Sequence, residues 1–256
     1  MRAMQYFKTQ AIVLKKVDYG DSSLILTALA RDFGKIALTA KGVKRALSKF
    51  EAPPEVFTVQ QFVFSRRGSA AMATASESTL MRDFPGLRCD LLRHYAACYL
   101  AEIVLNLCPE WEPIEGLYDA ALTALAGIDS DDAEMTLLRF EAAMLELLGH
   151  APLLSECCVC GTERKKAATV LLSALCGGYL CDECAASDPA ARRILGGTAP
   201  AMEALCSTRH KSLHLNKKAR LDLLRAFDYL FVFHREKPIR SMTLLEGVLR
   251  DEREKP

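Results

Sequence analysis

The 256-residue sequence lacks the short signatures on which most enzymes depend. It has no Gly-x-x-x-x-Gly-Lys-[Ser/Thr] phosphate loop, which excludes nucleotide hydrolysis of that kind, and no Gly-x-Gly-x-x-Gly opens a helix to hold a dinucleotide. His-Glu-x-x-His and Gly-x-Ser-x-Gly are absent as well, which removes the common metalloprotease and esterase designs. A zinc deaminase needs Pro-Cys-x-x-Cys among its ligands, but Leu180 precedes Cys181. The five histidines, at 94, 150, 210, 214 and 234, are scattered away from any plausible nucleophile. With no catalytic constellation to read, a protein that is not an enzyme and uses no nucleotide cofactor is expected.

Long apolar runs are missing too. The longest uncharged stretch, Ala167 to Cys181, is 15 residues and is broken by Gly177-Gly178, too short to span a bilayer. The opening MRAMQYFKTQ has neither the apolar run nor the small-residue cleavage site of a secretory signal. A cytosolic chain is expected, in which paired cysteines hold metal more often than they form disulfides. The length suits one large domain or two modest ones.

The net charge of +1 hides an asymmetry. Residues 1–80 carry 12 Lys+Arg against 6 Asp+Glu, residues 81–150 carry 4 against 13, and residues 151–256 carry 17 against 13. A basic head, an acidic middle and a mildly basic tail point to segments with different partners.

The head reads as β-structure. TQAIVLKKV, SLILTALA and KIALTAK are short strands separated by the turns YGDSS and RDFG, EVFTVQQFVFSRR is a longer one, and AMATASES is a weaker fifth. In the third strand, period two puts Ile36, Leu38 and Ala40 on one face and Lys35, Ala37, Thr39 and Lys41 on the other. Several short strands between Gly and Asp turns indicate a small barrel. From about Arg88 the period becomes helical, with Asp90, His94, Glu102 and Asn106 on one narrow stripe of an otherwise apolar segment. Further helices are expected over 113–127, from Asp131-x-x-Glu134 to Gly149, over 190–206, and over 217–233 with Asn216 as N-cap and Pro238 as stop.

Between the helical stretches lies CCVCGTERKKAATVLLSALCGGYLCDEC. Cys157-x-x-Cys160 and Cys181-x-x-Cys184 are separated by 20 residues, which is zinc-ribbon spacing. Each Cys-x-x-Cys turn aims two thiolates at one centre, and two such turns complete a tetrahedral all-sulfur site with no open position, so structural zinc is expected. Cys158 and Cys176 are spare, while Cys89, Cys98, Cys108 and Cys206 read as small buried apolar residues. The alternative is a hairpin that packs without metal.

The basic residues gather in KIALTAKGVKRALSK, where Lys35, Lys41, Lys44, Arg45 and Lys49 occur with no acid among them. Gly42 lets the backbone bend, and Arg66 and Arg67 end the long strand beside this group. A barrel face followed by a flexible basic loop suits an anionic polymer. Tyr6, Phe7, Tyr19, Phe33 and Phe50 are the rings available to stack bases or to fill the core. Lys217, Lys218 and Arg220 make a second cluster in the first turn of a helix, where the dipole disfavours cations; they are a tolerated surface feature or a phosphate contact.

One family combines these features. FKTQAIVLKKVDYGDSSLILTALARDFGKIALTAKGVKR resembles the N-terminal signature of the bacterial recombination mediator RecO family, through the Ala-Ile-Val-Leu strand, Tyr19-Gly20-Asp21-x-Ser23, Leu29-x-x-x-Phe33-Gly34-Lys35 and Ala40-Lys41-Gly42. LLSECCVCG and GGYLCDEC resemble its zinc module, which not every member keeps. The run after Lys41-Gly42, Val43-Lys44-Arg45-Ala46-Leu47, is less densely basic than is usual there. The resemblance implies an α+β multidomain protein: an N-terminal OB-fold β-barrel over 1–80, then a helical domain over 81–256 with a zinc-binding module inserted at 153–188. It also implies a DNA repair protein of the bacterial cytoplasm, associated with the nucleoid. Such a protein binds single- and double-stranded DNA, anneals complementary strands, contacts RecR and single-strand-binding protein, and so helps load RecA. Two other classes accommodate the same residues, a zinc-ribbon transcription regulator and a protein-interaction scaffold.

Overall fold

A computed structural model describes residues 4–45, 48–207, 213–233 and 239–254. The chain forms two compact units, Met1–Ser130 and Asp131–Pro256.

The first unit begins with β1 (Met4–Tyr19), a strand of 16 residues. Its first half pairs antiparallel with β4 (Val59–Arg67), and its second half with β2 (Ser23–Ala30), so that Met4 faces Arg67 and Tyr19 faces Ser23. A register shift between Val13 and Lys15 marks a bulge where the two pairings meet, the local kink by which a strand turns a barrel corner. β3 (Gly34–Ala40) pairs antiparallel with β2 and, through Ala37–Ala40, parallel with β5 (Met72–Arg82), which pairs antiparallel with β4. The closed order β1-β2-β3-β5-β4 is that of the OB-fold. Period-two alternation fills it: Ile36, Leu38 and Ala40 are fully buried with Leu24, Leu26, Phe62 and Phe64, while Lys35 and Ala37 are half-buried.

Strand direction sorts the connections between two ends of the barrel. The β1–β2 turn and the segment that leaves β3 at Lys41 lie at one end; the β2–β3 and β4–β5 turns lie at the other. At this second end β5 starts only opposite Ala37, so Lys35 has no strand neighbour on that side. Residues Glu110 and Trp111 take its place. The Trp111 backbone N–H donates to the Lys35 carbonyl at 2.8 Å and its indole N–H to the Ala71 carbonyl at 2.7 Å. Gly34, with φ +67°, permits this approach, because a Cβ there would overlap the Glu112 carbonyl.

Helices α1 (Gly86–Cys89), α2 (Leu91–Leu107) and α3 (Leu117–Ser130) complete the unit. The Asp90 carboxylate caps α2 by accepting from the Arg93 N–H at 2.8 Å. The helix expected from residue 113 starts at Leu117 instead, because the chain before it is held against the Gly34 end of the barrel.

In the second unit α4 (Ala133–Leu147) is capped by Asp132, one residue later than expected, and Gly149 ends it with φ +73°. The Gly149 N–H donates to Glu146 and the His150 N–H to Leu145, the paired bonds of a Schellman ending. A three-stranded sheet follows, ordered β7 (Gly178–Leu180), β6 (Thr169–Ser173), β8 (Arg192–Leu195). Then come α5 (Thr198–Cys206), α6 (Lys217–Phe233) and α7 (Arg240–Glu254). The helix expected over 190–206 is therefore a strand and a shorter helix. Gly196 breaks it, lying so close to the Ala167 carbonyl that a Cβ would not fit, while the preceding Arg-Arg-Ile-Leu pairs with β6. Asn216 caps α6 as expected, accepting from the Ala219 N–H at 2.9 Å; the Pro238 stop lies outside the described residues. Among the described residues no helix is long and apolar enough to cross a membrane.

Two glycines separate the cost of a backbone angle from that of a close approach. Gly20, at φ +61°, has open space around its Cβ position, and Gly20→Ala is expected to cost about 1–2 kcal/mol. Gly34→Ala adds a clash with the Glu112 backbone and is expected to cost about 3 kcal/mol or more. Urea unfolding of the two variants checks the order; equal losses would mean the Trp111 segment does not need the approach.

Candidate nucleic-acid interface and metal centre

The seven basic positions of the head fall into two groups. Lys41, Lys44, Arg45 and Lys49 are exposed on the connection between β3 and β4, at the end that carries the β1–β2 turn. Backbone bonds pin this loop to that turn: the Lys44 N–H donates to the Ser22 carbonyl at 3.2 Å and the Gly42 N–H to the Ser23 hydroxyl at 3.4 Å. Gly42 adopts φ +67°, and the stem of Arg45 folds back over it. The Lys44 ammonium meets the Asp18 carboxylate at 2.6 Å in an exposed pair, and the hydrogen bond and charge of Lys44 hold the Asp18 carboxyl below its usual range. Such a pair is weak and screened by salt. Lys41, Arg45 and Lys49 have no partner among the described residues.

The second group stands at the opposite end. Lys35 turns inward and donates to the Leu105 carbonyl in the last turn of α2 at 2.6 Å, where a cation complements the helix dipole. Arg66 donates to the Ala70 carbonyl at 2.7 Å and lies 3.7 Å over the Trp111 ring. Arg67 is exposed beside it. Two of these three side chains thus hold the fold. In the C-terminal cluster, Arg220 is paired with Asp132, the cap of α4, at 2.7 Å, whereas Lys217 and Lys218 are exposed on the first turn of α6.

The rings separate as cleanly. Phe7, Phe33, Phe64 and Trp111 pack edge-on, tilted or stacked with centroids 5.2–6.5 Å apart, and Phe50 is buried. Tyr6 and Tyr19 are exposed, Tyr6 near the Arg67 end and Tyr19 at the β1–β2 turn.

The sulfurs of Cys157, Cys160, Cys181 and Cys184 all lie within 4.8 Å of one another. Four thiolates about 2.3 Å from a tetrahedral zinc stand about 3.8 Å apart; Cys160 and Cys181 are 3.7 Å apart, far beyond a disulfide. The donor set therefore fits a metal ion. Two turns build it. Gly161, at φ +71°, donates to the Cys157 carbonyl at 2.9 Å to close the first, and the Cys184 N–H donates to Cys181 at 3.1 Å to close the second. Burial pushes the Cys157 thiol up, but the backbone N–H groups of Cys160, Cys181 and Val159 aimed at its sulfur bring it down to about 6. Cys184, hydrogen-bonded by Cys181 and Cys160, is pushed up instead. Thiols crowded round one point cannot all ionise without a cation to share. Outside the four, Cys158 is pushed up to about 11 by burial and by Cys176, and burial also raises Cys98, Cys108 and Cys206. Cys89, expected in the core, is exposed at the end of α1.

Known proteins match both halves of the chain. The family model for the N-terminal domain of recombination protein O matches residues 4–84, and the model for its C-terminal domain matches residues 88–243. The chain belongs to the RecO family. Among curated relatives, the DNA repair protein RecO of Pelotomaculum thermopropionicum is 32% identical over 246 residues, covering 95% of this chain and 94% of that protein. That of Rhodopirellula baltica is 34% identical over 200 residues, 76% and 72% of the two chains. That of Symbiobacterium thermophilum is 29% identical over 250 residues, 95% and 98%.

On the structure, the family's Tyr19-Gly20-Asp21 and Ala40-Lys41-Gly42 signatures are neighbours, since the first forms the turn on which the second is pinned. Three features escaped the sequence reading: the Asp18–Lys44 pair, the Arg66–Trp111 contact, and the role of Tyr229 of α6. The Tyr229 hydroxyl accepts from the Ala174 N–H at 3.3 Å and donates to the Ala190 carbonyl at 3.1 Å, gripping the cysteine ribbon on both sides of its hairpin. Ser173 and Asp188, both buried, brace the same region with a 2.6 Å bond. Partners 26 to 55 residues apart leave no local periodicity by which to find them.

Tyr229→Phe removes both bonds and leaves two backbone groups unpaired, so a loss of about 1–3 kcal/mol is expected. Urea unfolding measures it; a variant as stable as wild type would show that the ribbon does not hang on this hydroxyl.

Proposed function

We propose that the chain binds single- and double-stranded DNA through the β3–β4 loop and serves as a recombination mediator in DNA repair, making and breaking no covalent bond. The observation that carries this reading is the loop itself, where Lys41, Arg45 and Lys49 are exposed without partners among the described residues and Lys44 holds a weak surface pair. Each phosphate they neutralise releases condensed counterions, and cations between two strands lower the repulsion that opposes pairing. Arg67 extends the path at the far end of the barrel, with Lys35 and Arg66 supporting the frame.

Family membership supports the remainder of the reading. The barrel, 1–80, handles DNA, and the helical part, 81–256, with the module at 153–188, meets proteins. The chain anneals complementary strands, contacts RecR and single-strand-binding protein, and helps RecA load on strands coated by the latter, on the nucleoid in the bacterial cytoplasm. Annealing needs no ATP. Cys157, Cys160, Cys181 and Cys184 hold one structural zinc, which fixes the ribbon geometry.

Charge reversal tests the DNA site. Lys41→Glu with Lys44→Glu should weaken oligonucleotide binding and flatten the plot of log affinity against log salt by about 1.4 for single strands and 1.8 for duplex, and should slow annealing of bare and protein-coated strands. An unchanged slope rules this loop out; wild type that neither binds nor anneals DNA at low salt would favour a scaffold.

Metal analysis tests the second half of the reading. One zinc per chain is expected, with the charge-transfer absorption of an all-sulfur site after cobalt replacement, and its removal by chelator should unfold the ribbon. A chain without metal, equally stable in chelator, would overturn it.

A further inference from the structure

We infer that Tyr19 stacks a nucleobase and makes the β1–β2 turn a reader of unpaired strands. The inference rests on the DNA reading above and adds to it the form of nucleic acid that this turn selects.

Tyr19 is the last residue of β1 and is 59% exposed. Antiparallel pairing with Ser23 fixes its backbone, and Gly20 at φ +61° closes the turn beside it. The basic loop is bonded to the same turn through Ser22 and Ser23, and the Asp18–Lys44 pair is formed by the residue just before it. An apolar ring face therefore stands in water on the turn to which the basic loop is bonded. No packing demand accounts for it: the barrel is filled by other side chains, and Phe7, Phe33, Phe50, Phe57 and Phe64 are buried or packed on one another. Tyr6, the other exposed ring on β1, pairs opposite Ser65 at the far end.

A ring set among phosphate-binding cations matches a single strand, whose bases turn out while its backbone follows the charges. Duplex DNA keeps its base faces stacked on each other and offers this ring nothing but the backbone. Charge contributes to affinity for both forms, and the ring separates them. The β-strand position matters too, since a tyrosine on a paired strand loses little freedom when it stacks.

The test measures binding of the full chain to a labelled single-stranded oligonucleotide and to its duplex, across a salt series, for wild type, Tyr19→Ala, Tyr19→Leu and Tyr19→Phe. Thermal melts confirm that each variant is folded; the leucine variant keeps the bulk and strand preference that alanine loses. Alanine and leucine should weaken single-strand binding between about fivefold and 150-fold and leave duplex affinity and both salt slopes unchanged, while phenylalanine retains wild-type binding. Wild-type single-strand affinity in the alanine and leucine variants, or an equal loss on duplex, overturns the stacking role and leaves the charge reading standing. Wild type that binds neither form overturns both.

Discussion

The double pairing of β1 is the constraint on which the N-terminal unit depends. A strand of 16 residues serves two neighbours in turn, β4 with its first half and β2 with its second, and the bulge between Val13 and Lys15 lets it do so without tearing the ladder. Closure fixes strand directions, and directions decide which connections meet. The β1–β2 turn and the departure of β3 must share an end; the β2–β3 and β4–β5 turns must share the other. Residues 20 positions apart in sequence are neighbours for this reason, and Arg66, which follows the same kind of basic pattern, is not.

The two ends then differ in what happens to their charge. At one, two of the three cations find an internal role, Lys35 on a helix carbonyl and Arg66 on the Trp111 ring, and Arg67 alone is exposed. At the other, Lys44 pairs with the Asp18 carboxylate, while Lys41, Arg45 and Lys49 have no partner among the described residues. An exposed pair at 2.6 Å gains little net free energy in water, so its lysine can exchange a carboxylate for a phosphate at small cost. A polyanion that approaches the barrel finds several exposed cations at the loop end and, at the Trp111 end, Arg67 alone beside cations already engaged. The polarity comes from the fold as much as from the composition.

What could be read in advance divides along physical lines. The barrel strands were legible because alternation is local: Ile36, Leu38 and Ala40 declare the inner face of β3 within seven residues. The four-cysteine cluster was legible because each Cys-x-x-Cys is a turn in itself, and the four thiols do converge. Caps were found to within a residue, Asp132 serving where Asp131 was expected, since neighbouring aspartates compete for one role. Long-range competition was not legible. The stretch before α5 looked helical until Gly196 met the Ala167 carbonyl, and the segment before α3 was drawn from helix to the barrel by Trp111. Lys35 and Lys41 look alike on one face of one strand; only the helix end beside Lys35 tells them apart.

The cysteine ribbon is a place where a metal ion would do structural work. Its own core is three buried residues, Cys157, Leu171 and Leu180, with partly buried neighbours that include the other cysteines. Burial on that scale falls short of the entropy lost in ordering some thirty residues. Tyr229, Ser173 and Asp188 fasten one end of the sheet, and the two turns that carry the thiols lie at the other, where the Cys158 N–H donates to the Tyr179 carbonyl at 2.9 Å. There the sulfurs crowd round one point, and a metal ion held by the four would draw off their protons and cross-link the two turns.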